Sequence, residues 1–580
     1  MGRIHRSRYT VDIPEVDLLT FVFRAKSASF RRKPQYFDAF RPERHYSLVE
    51  GEGFAMRIGL GLRQLGLKTD DKVSLFSSNN LFFPILFWGV IAADCVFTAV
   101  SPTATEADNL LQLEYQTRAS DAKVLISSPD TVDKALKPAF AVGIPKSQVF
   151  VFCHLEDASE VSRSTTAQPW TSFWASEVEA TSFQWKASTD PKYLNSEVII
   201  LNSSSGTTGA PKGVEITHAN VVANPTQLVH YRKMSADIPE AYARKERLAR
   251  SGERWLAPLP MYHAYGQIYY CVNAPLVGAK VYIIHRYSIR LLLLFVDIYW
   301  ITLLTGVPTI LVQMSKQPAE MHNPNSIEYA LTGSAPLGQD TAKQTEQQYL
   351  SRGLVLRQGL GMTETTNSMS GFSPDDPHDA SSIGYLNPNF LGKIMPVDGQ
   401  SWAGNVPTGT EVGELWVSGK NVMKGYYKNP QATSEAIVME DGIRWLKTGD
   451  IAYFNEAGRI FIVDRLKVGY NEDQTRELIK VNGLQVSPAE LEAAIVLHPG
   501  VADVAVVGVL MNDNECPRAF VVKKDEKITA KTVYELVENR FAKQKWLSGD
   551  VIFVDELPKT PSGKVIKRQL TNSAKETSKL

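Results

Sequence analysis

VIILNSSSGTTGAPKGV, residues 198–214, is the stretch on which the reading of the whole chain turns. Its first four residues are β-branched or apolar and read as a buried strand. The run that follows, Ser203 to Val214, is rich in glycine, serine and threonine and carries Lys212 near its end. Small residues let backbone N–H groups close around phosphate oxygens; the hydroxyls add donors and the lysine adds a charge. A Walker A loop is excluded, because that loop needs Ser or Thr after its lysine and here Gly213 follows.

The same alternation of apolar run, turn and helical stretch extends outward from about residue 46 to 470. KVSLFSS from Lys72, KVLISSP from Lys123, KVYIIH from Lys280 and WITLLTGVP from Trp300 each read as a strand. Helical crossovers between such strands imply mainly parallel sheets, so the expected fold class is α/β with a large multi-layered N-terminal domain. After the strand RIFIVD the chain turns polar in DRLKVGYNEDQTR, and a small α+β unit follows. Ser487-Pro488-Ala489-Glu490 reads as a capping box opening a helix, ADVAVVGVL and RAFVVKK as strands, and VYELVENRFAK as an amphipathic helix. The expected domains are therefore 1–464, a hinge with an inserted loop at 465–476, and a C-terminal lid at 477–580.

Composition narrows the function classes. At 580 residues the chain needs more than one core, and its 44% hydrophobic content is that of a folded protein. Lys+Arg and Asp+Glu are equal at 62 each, which leaves no global electrostatic footprint for nucleic acid or anionic lipid. The four cysteines, Cys95, Cys153, Cys271 and Cys516, have no disulfide or zinc-ligand spacing. The N-terminus lacks the apolar core of a secretory signal, and Arg6 stands where a myristoylation signal needs Ser or Thr. The most apolar run, LLLLFVDIYWITLLTGVPTILV from Leu291, is broken by Asp297 and by Gly306-Val307-Pro308, so a buried helix and strand are expected in place of a transmembrane segment. Ser578-Lys579-Leu580 at the C-terminus is the address read by the peroxisomal import receptor, and a peroxisomal location is expected.

SSGTTGAPKG resembles the signature of the acyl-adenylate-forming superfamily, which contains acyl-CoA ligases, adenylation domains and firefly luciferase. The resemblance continues in order through LPMYHAYG from Leu259, TGSAPLG from Thr332, QGLGMTET from Gln358, WLKTGD ending at Asp450, VDRLK with Arg465, and PKTPSGK ending at Lys564. Within the superfamily the chain is most similar to 4-coumarate:CoA ligases and to fungal peroxisomal acyl-CoA ligases of secondary metabolism. That likeness implies phosphate contacts from Ser204, Ser205, Gly206, Thr207, Thr208, Lys212 and Thr363, and Mg²⁺ on Glu364. Ala335, Gln358 and Gly359 would lie along the nucleotide, Asp450 and Arg465 would take the ribose, and Lys467 would mark the hinge. His263, Tyr265, Gly333, Leu337 and Leu360 would border an apolar pocket for an aromatic or aliphatic acid. Lys564 would serve adenylation; Lys480, Gly483 and Arg286 would face CoA.

The implied activity is acid:CoA ligation with ATP, Mg²⁺ and CoA, releasing AMP and pyrophosphate, with no tethered carrier domain expected. Two alternatives stay open on the residues alone. A luciferase-like oxygenase shares the resemblance and the terminal address. A nucleotide-binding pseudoenzyme would account for three departures: Val468 to Arg476 inserted at the hinge, Leu360 where the family commonly has an adenine-stacking aromatic, and Asn482 where it often has lysine.

Overall fold

The computed structural model describes residues 2–102, 106–160, 165–204, 212–317, 324–335, 337–377, 379–397, 406–407, 409–465, 479–481, 484–486, 488–511, 514–541, 543–559, 565–567 and 569–571. Two large sheets carry the core. One has eight strands, running Gly425–Tyr426, Lys212–Thr217, Val198–Ser204, Val96–Val100, Lys72–Phe76, Ala122–Ser127, Val149–Val151 and Gln168–Pro169 across its width. The other has seven, running Leu356–Gln358, Tyr329–Thr332, Leu303–Gly306, Arg254–Ala257, Lys280–Ile283, Pro34–Asp38 and His45–Ser47. Both are parallel through their centres, as the crossovers require, and become antiparallel only toward an edge.

Central strands buried on both faces are mostly apolar: all five residues of Val96–Val100 are buried, and Thr98 is the one polar residue among them. The helix Phe83–Ala92 is buried along its whole length, which suits an apolar sequence with no polar face. It packs on the helix Leu48–Gln64, whose start is fixed by a capping box between Ser47 and Glu50. Close approach there needs Gly89, since a Cβ at that position would lie 2.6 Å from the Ile58 Cβ.

The apolar run from Leu291 folds as expected into the helix Ile289–Tyr299, the strand Leu303–Gly306 and the helix Pro308–Ser315. Trp300 does not join the strand: it adopts φ 52° and closes the preceding helix, so the strand starts three residues later. Among the described residues no helix is long and apolar enough to cross a membrane.

A third sheet departs from the parallel expectation. Ile4–Arg6, Leu391–Met395, Gly413–Ser418, Ile443–Phe454, Ile437–Glu440 and Ile460–Arg465 pair antiparallel throughout. Arg465 is the last residue of its strand and lies opposite Asp450. Residues 466–478, which contain Lys467 and the inserted run, lie outside the described residues.

The C-terminal unit has its own apolar core, made by the strands Val501–Met511, Asn514–Lys523 and Val551–Val554 with the helices Pro488–Val496 and Ala530–Glu538. Ser487 of the expected capping box is outside the described residues, but the helix begins at Pro488 as that reading requires.

One buried histidine ties the N-terminus to the core. His218, at the start of the helix His218–Lys233, accepts the Leu18 N–H on Nδ1 at 3.1 Å. Burial lowers its pKa to about 4, against the opposing charge of Asp17. The unfolded chain therefore binds the extra proton first, and the contribution of this group is complete above pH 6.5 and lost as pH falls through 4. The difference is worth about 3 kcal/mol. His218→Asn keeps an acceptor near the Nδ1 position without titrating, so the urea midpoint of this variant should fall less steeply between those two pH values than that of the parent.

Candidate active site

The phosphate-type loop is held in a hairpin. Ser204 and Lys212 face each other as the last and first residues of antiparallel strands, so the two ends of the segment 205–211 are fixed against one another. Ser205, Gly206, Thr207 and Thr208 lie outside the described residues. Ser204 is buried and Lys212 exposed, its Nζ 5.0 Å above the Tyr426 ring. Tyr426 carries the link onward: its hydroxyl donates to Glu364 Oε1 at 2.9 Å. Burial and then the Glu364 carboxylate push that phenol's pKa up, so it stays a donor, while the positive charge of Arg465 acts on it the other way. Arg465 Nε lies 3.5 Å from Asp450 Oδ1. Lys212, Tyr426 and Glu364 are thus joined by direct contacts, and the Arg465–Asp450 pair acts on Tyr426 only through its charge.

Glu364 sits on the short turn Thr363–Thr365, which follows the strand Leu356–Gln358. This turn is possible because of Gly361, where a Cβ would lie 2.2 Å from the Asn367 carbonyl oxygen. Thr363 and Glu364 are both buried, and the Thr366 hydroxyl anchors the far end on the Asn421 carbonyl at 2.8 Å.

Beside this turn a cavity of ≈ 140 Å³ opens at the carboxyl ends of the parallel strands Arg254–Ala257, Tyr329–Thr332 and Leu356–Gln358. Open α/β sheets place ligands at that end of their strands. His263, Tyr265, Gly333, Gln358, Gly359, Leu360 and Thr363, read separately from the sequence, all line it. His263 caps the helix Ala264–Ile268 by accepting the Tyr265 N–H on Nδ1 at 3.4 Å. Burial lowers its pKa, so the ring is neutral with its proton on Nε2.

Other expected site residues stand elsewhere. Leu337 is buried behind the wall and does not line the cavity. The Gln358 amide holds it there, accepting from the Leu337 N–H at 3.2 Å and donating to the Leu337 and Ala380 carbonyls at 3.4 and 2.5 Å. Gln358 thus shapes the wall with its side chain, where a nucleotide contact had been expected. Ala335 is exposed beyond the left-handed Ser334 at φ 76°, and Arg286 is exposed away from the cavity. Lys480 is placed only by its backbone in the strand Ile479–Val481; Gly483, Asn482 and Lys564 are outside the described residues.

Two features escaped the sequence reading. Tyr426 follows Gly425 in KGYY, and only pairing of the strand Gly425–Tyr426 with Lys212–Thr217 brings it to Glu364. Arg232 lines the inner end of the cavity, held by Glu253.

The profile of the family described as AMP-binding enzyme matches residues 23–427, and that of the AMP-binding enzyme C-terminal domain matches residues 490–564. A phenylacetyl-CoA ligase of Aspergillus niger is 31% identical over 98% of this chain and 98% of its own. A 4-coumarate–CoA ligase of Arabidopsis thaliana is 31% identical over 98% of this chain and 93% of its own. Among solved structures, an anthranilate CoA ligase in complex with anthranoyl-AMP superposes with a TM-score of 0.77 at 19% identity, covering 97% of this chain and 98% of the other. ATP-bound MatB from Rhodopseudomonas palustris superposes with a TM-score of 0.74 at 23% identity, covering 96% and 99%. The chain belongs to the AMP-binding enzyme family and, within it, to the AMP-forming acyl-CoA ligases.

Proposed function

We propose that the protein activates a predominantly apolar aryl or medium- to long-chain carboxylic acid as its acyl-adenylate and transfers it to CoA inside peroxisomes. The observation that carries the reading is the meeting, at one turn, of an acyl-sized cavity and a polar relay. Thr363 lines the cavity, and its neighbour Glu364 is joined through Tyr426 to Lys212 at the base of the loop.

A carboxylate is a poor acyl donor because its leaving group would be oxide. Attack by the carboxylate oxygen on the α-phosphorus of ATP breaks the bond to pyrophosphate and converts that oxide into a phosphate ester. The CoA sulfur, its proton released to solvent, then forms the thioester as the bond to AMP breaks. The protein's part in the first step is positioning and stabilisation of charge. Lys212, with the Thr207 and Thr208 hydroxyls and Lys564, is suited to the phosphates, and Asp450 with Arg465 to the ribose.

A Mg²⁺ ion fits Glu364, a hard carboxylate ligand beside the phosphate loop. Triphosphate oxygens and water would complete the ion's oxygen shell. When bound it would neutralise triphosphate charge.

Purified protein given ATP, Mg²⁺, CoA and a panel of aryl and medium- to long-chain acids should release AMP and pyrophosphate with at least one of them. Release with none, from folded protein, would refute the proposal. For the location, the support is Ser578-Lys579-Leu580. Removing these three residues should leave the activity in vitro and disperse the protein into the cytosol; continued import would refute the assignment.

A further inference from the structure

The inner end of the acyl cavity is charged, which an aliphatic or plain aryl acid does not call for. Arg232 lines it, together with Trp255, Tyr269 and Tyr329. Its Nε and Nη2 donate to Glu253 at 2.9 and 2.5 Å, and its guanidinium lies 3.8 Å over the Tyr329 ring. Trp255 Nε1 at 3.1 Å and the Thr302 hydroxyl at 3.2 Å complete the coordination of the carboxylate. Burial opposes the charged form of Glu253, but Arg232 and these donors outweigh it and hold the carboxyl below the ordinary range. Glu253 is thus a saturated acceptor that fixes the arginine in one pose. The remaining nitrogen, Nη1, makes no hydrogen bond among the described residues and is not one of the atoms sealed from solvent.

Strand register sets the distance from this end to the reacting end. Trp255, Leu303 and Tyr329 lie side by side across the sheet, and Gly333 follows four residues beyond Tyr329. At strand rise that separation is about 13 Å. A carboxylate held near Thr363 would therefore bring a tail of roughly that reach to Arg232.

The neighbouring charged groups show what this end lacks. Arg232 is compensated by Glu253, and Glu328 on the same wall is compensated by Arg247 and Arg352. Arg357 Nη2, also at this end, is held by the Pro374 and Asp376 carbonyls at 3.1 and 2.5 Å. Arg357 Nη1 is buried with no partner, so this end offers unmet donors on two arginines while its carboxylates are already paired, and it asks for an oxygen acceptor.

We propose that Arg232, held by Glu253, selects acids that carry an oxygen acceptor, such as a ketone, ether or hydroxyl, at the end remote from the carboxylate. This rests on the ligase reading above. A hydrocarbon tail would leave the N–H unpaired or retain a water on it, and one charge-assisted hydrogen bond is worth about ten- to a hundredfold in discrimination.

The test compares shape-matched acids: 4-(4-acetylphenyl)butanoic with 4-(4-isopropylphenyl)butanoic acid, and a medium-chain acid with a penultimate ketone against its penultimate methyl-branched counterpart. The oxygenated member of at least one pair should have the higher kcat/KM by about tenfold or more. In Arg232→Met combined with Glu253→Gln, which removes the pair without leaving a buried charge, the ratio should fall to within about threefold of one. Equal turnover of both members by the parent enzyme, or a preference kept by the double variant, would each overturn the assignment while leaving the ligase reading intact. Absence of pyrophosphate release with every acid would instead defeat the ligase reading itself.

Discussion

Lys564→Ala should lower acyl-adenylate formation by about 10²–10³-fold, while transfer from supplied acyl-adenylate to CoA stays within about threefold of the parent rate. Charge develops on departing pyrophosphate only in the first step, so a cation that Lys564 supplied to that leaving group would act on that step alone. The segment that carries Lys564 is anchored on both sides. Lys559 and Val565 pair as an isolated antiparallel bridge, and Lys559 forms an ion pair with Asp503 in the strand Val501–Met511. Single-turnover assays of the two half-reactions separate the outcomes: equal loss in both would contradict a division of labour between them.

The route to these residues shows where sequence patterns carry spatial information. Runs such as KVSLFSS and VIILNSSSG fold into the expected strands because continuous apolar runs bounded by turn residues have few other ways to be buried. The wall of the acyl cavity was legible for a related reason. His263, Gly333 and Gly359 follow the carboxyl ends of parallel strands, and those ends converge in any such sheet. The all-antiparallel third sheet was not legible, because its strands include residues as far apart as Ile4 and Lys393, which no local period announces.

Tyr426 and Arg232 were hidden for the same physical reason. Each matters through a partner outside its own segment, Glu364 in the first case and Glu253 in the second. Leu337 misled in the opposite sense. An apolar residue in a pocket-facing motif reads as lining, but the paired hydrogen bonds to Gln358 turn its backbone inward and leave the side chain buried behind the wall.

Glu364→Gln should reduce the adenylation rate by about 10²-fold at fixed Mg²⁺, and part of the loss should return as Mg²⁺ is raised. The substitution preserves shape and keeps an oxygen able to accept the Tyr426 hydroxyl, which now lies 2.9 Å from Oε1, so the turn at Thr363–Thr365 should hold. What is lost is the negative charge, hence affinity for a divalent cation, without creation of a cavity. Tyr426→Phe separates the two contributions. It leaves the charge in place and removes one hydrogen bond to a charged group, worth about 1.5–3 kcal/mol, so its effect should lie near the lower end of about ten- to a hundredfold and should not respond to Mg²⁺. Pyrophosphate release measured across a Mg²⁺ titration distinguishes them. If Glu364→Gln keeps both the parent rate and the parent Mg²⁺ dependence, this carboxylate does not hold the metal, and its bond to Tyr426 serves only to shape the turn.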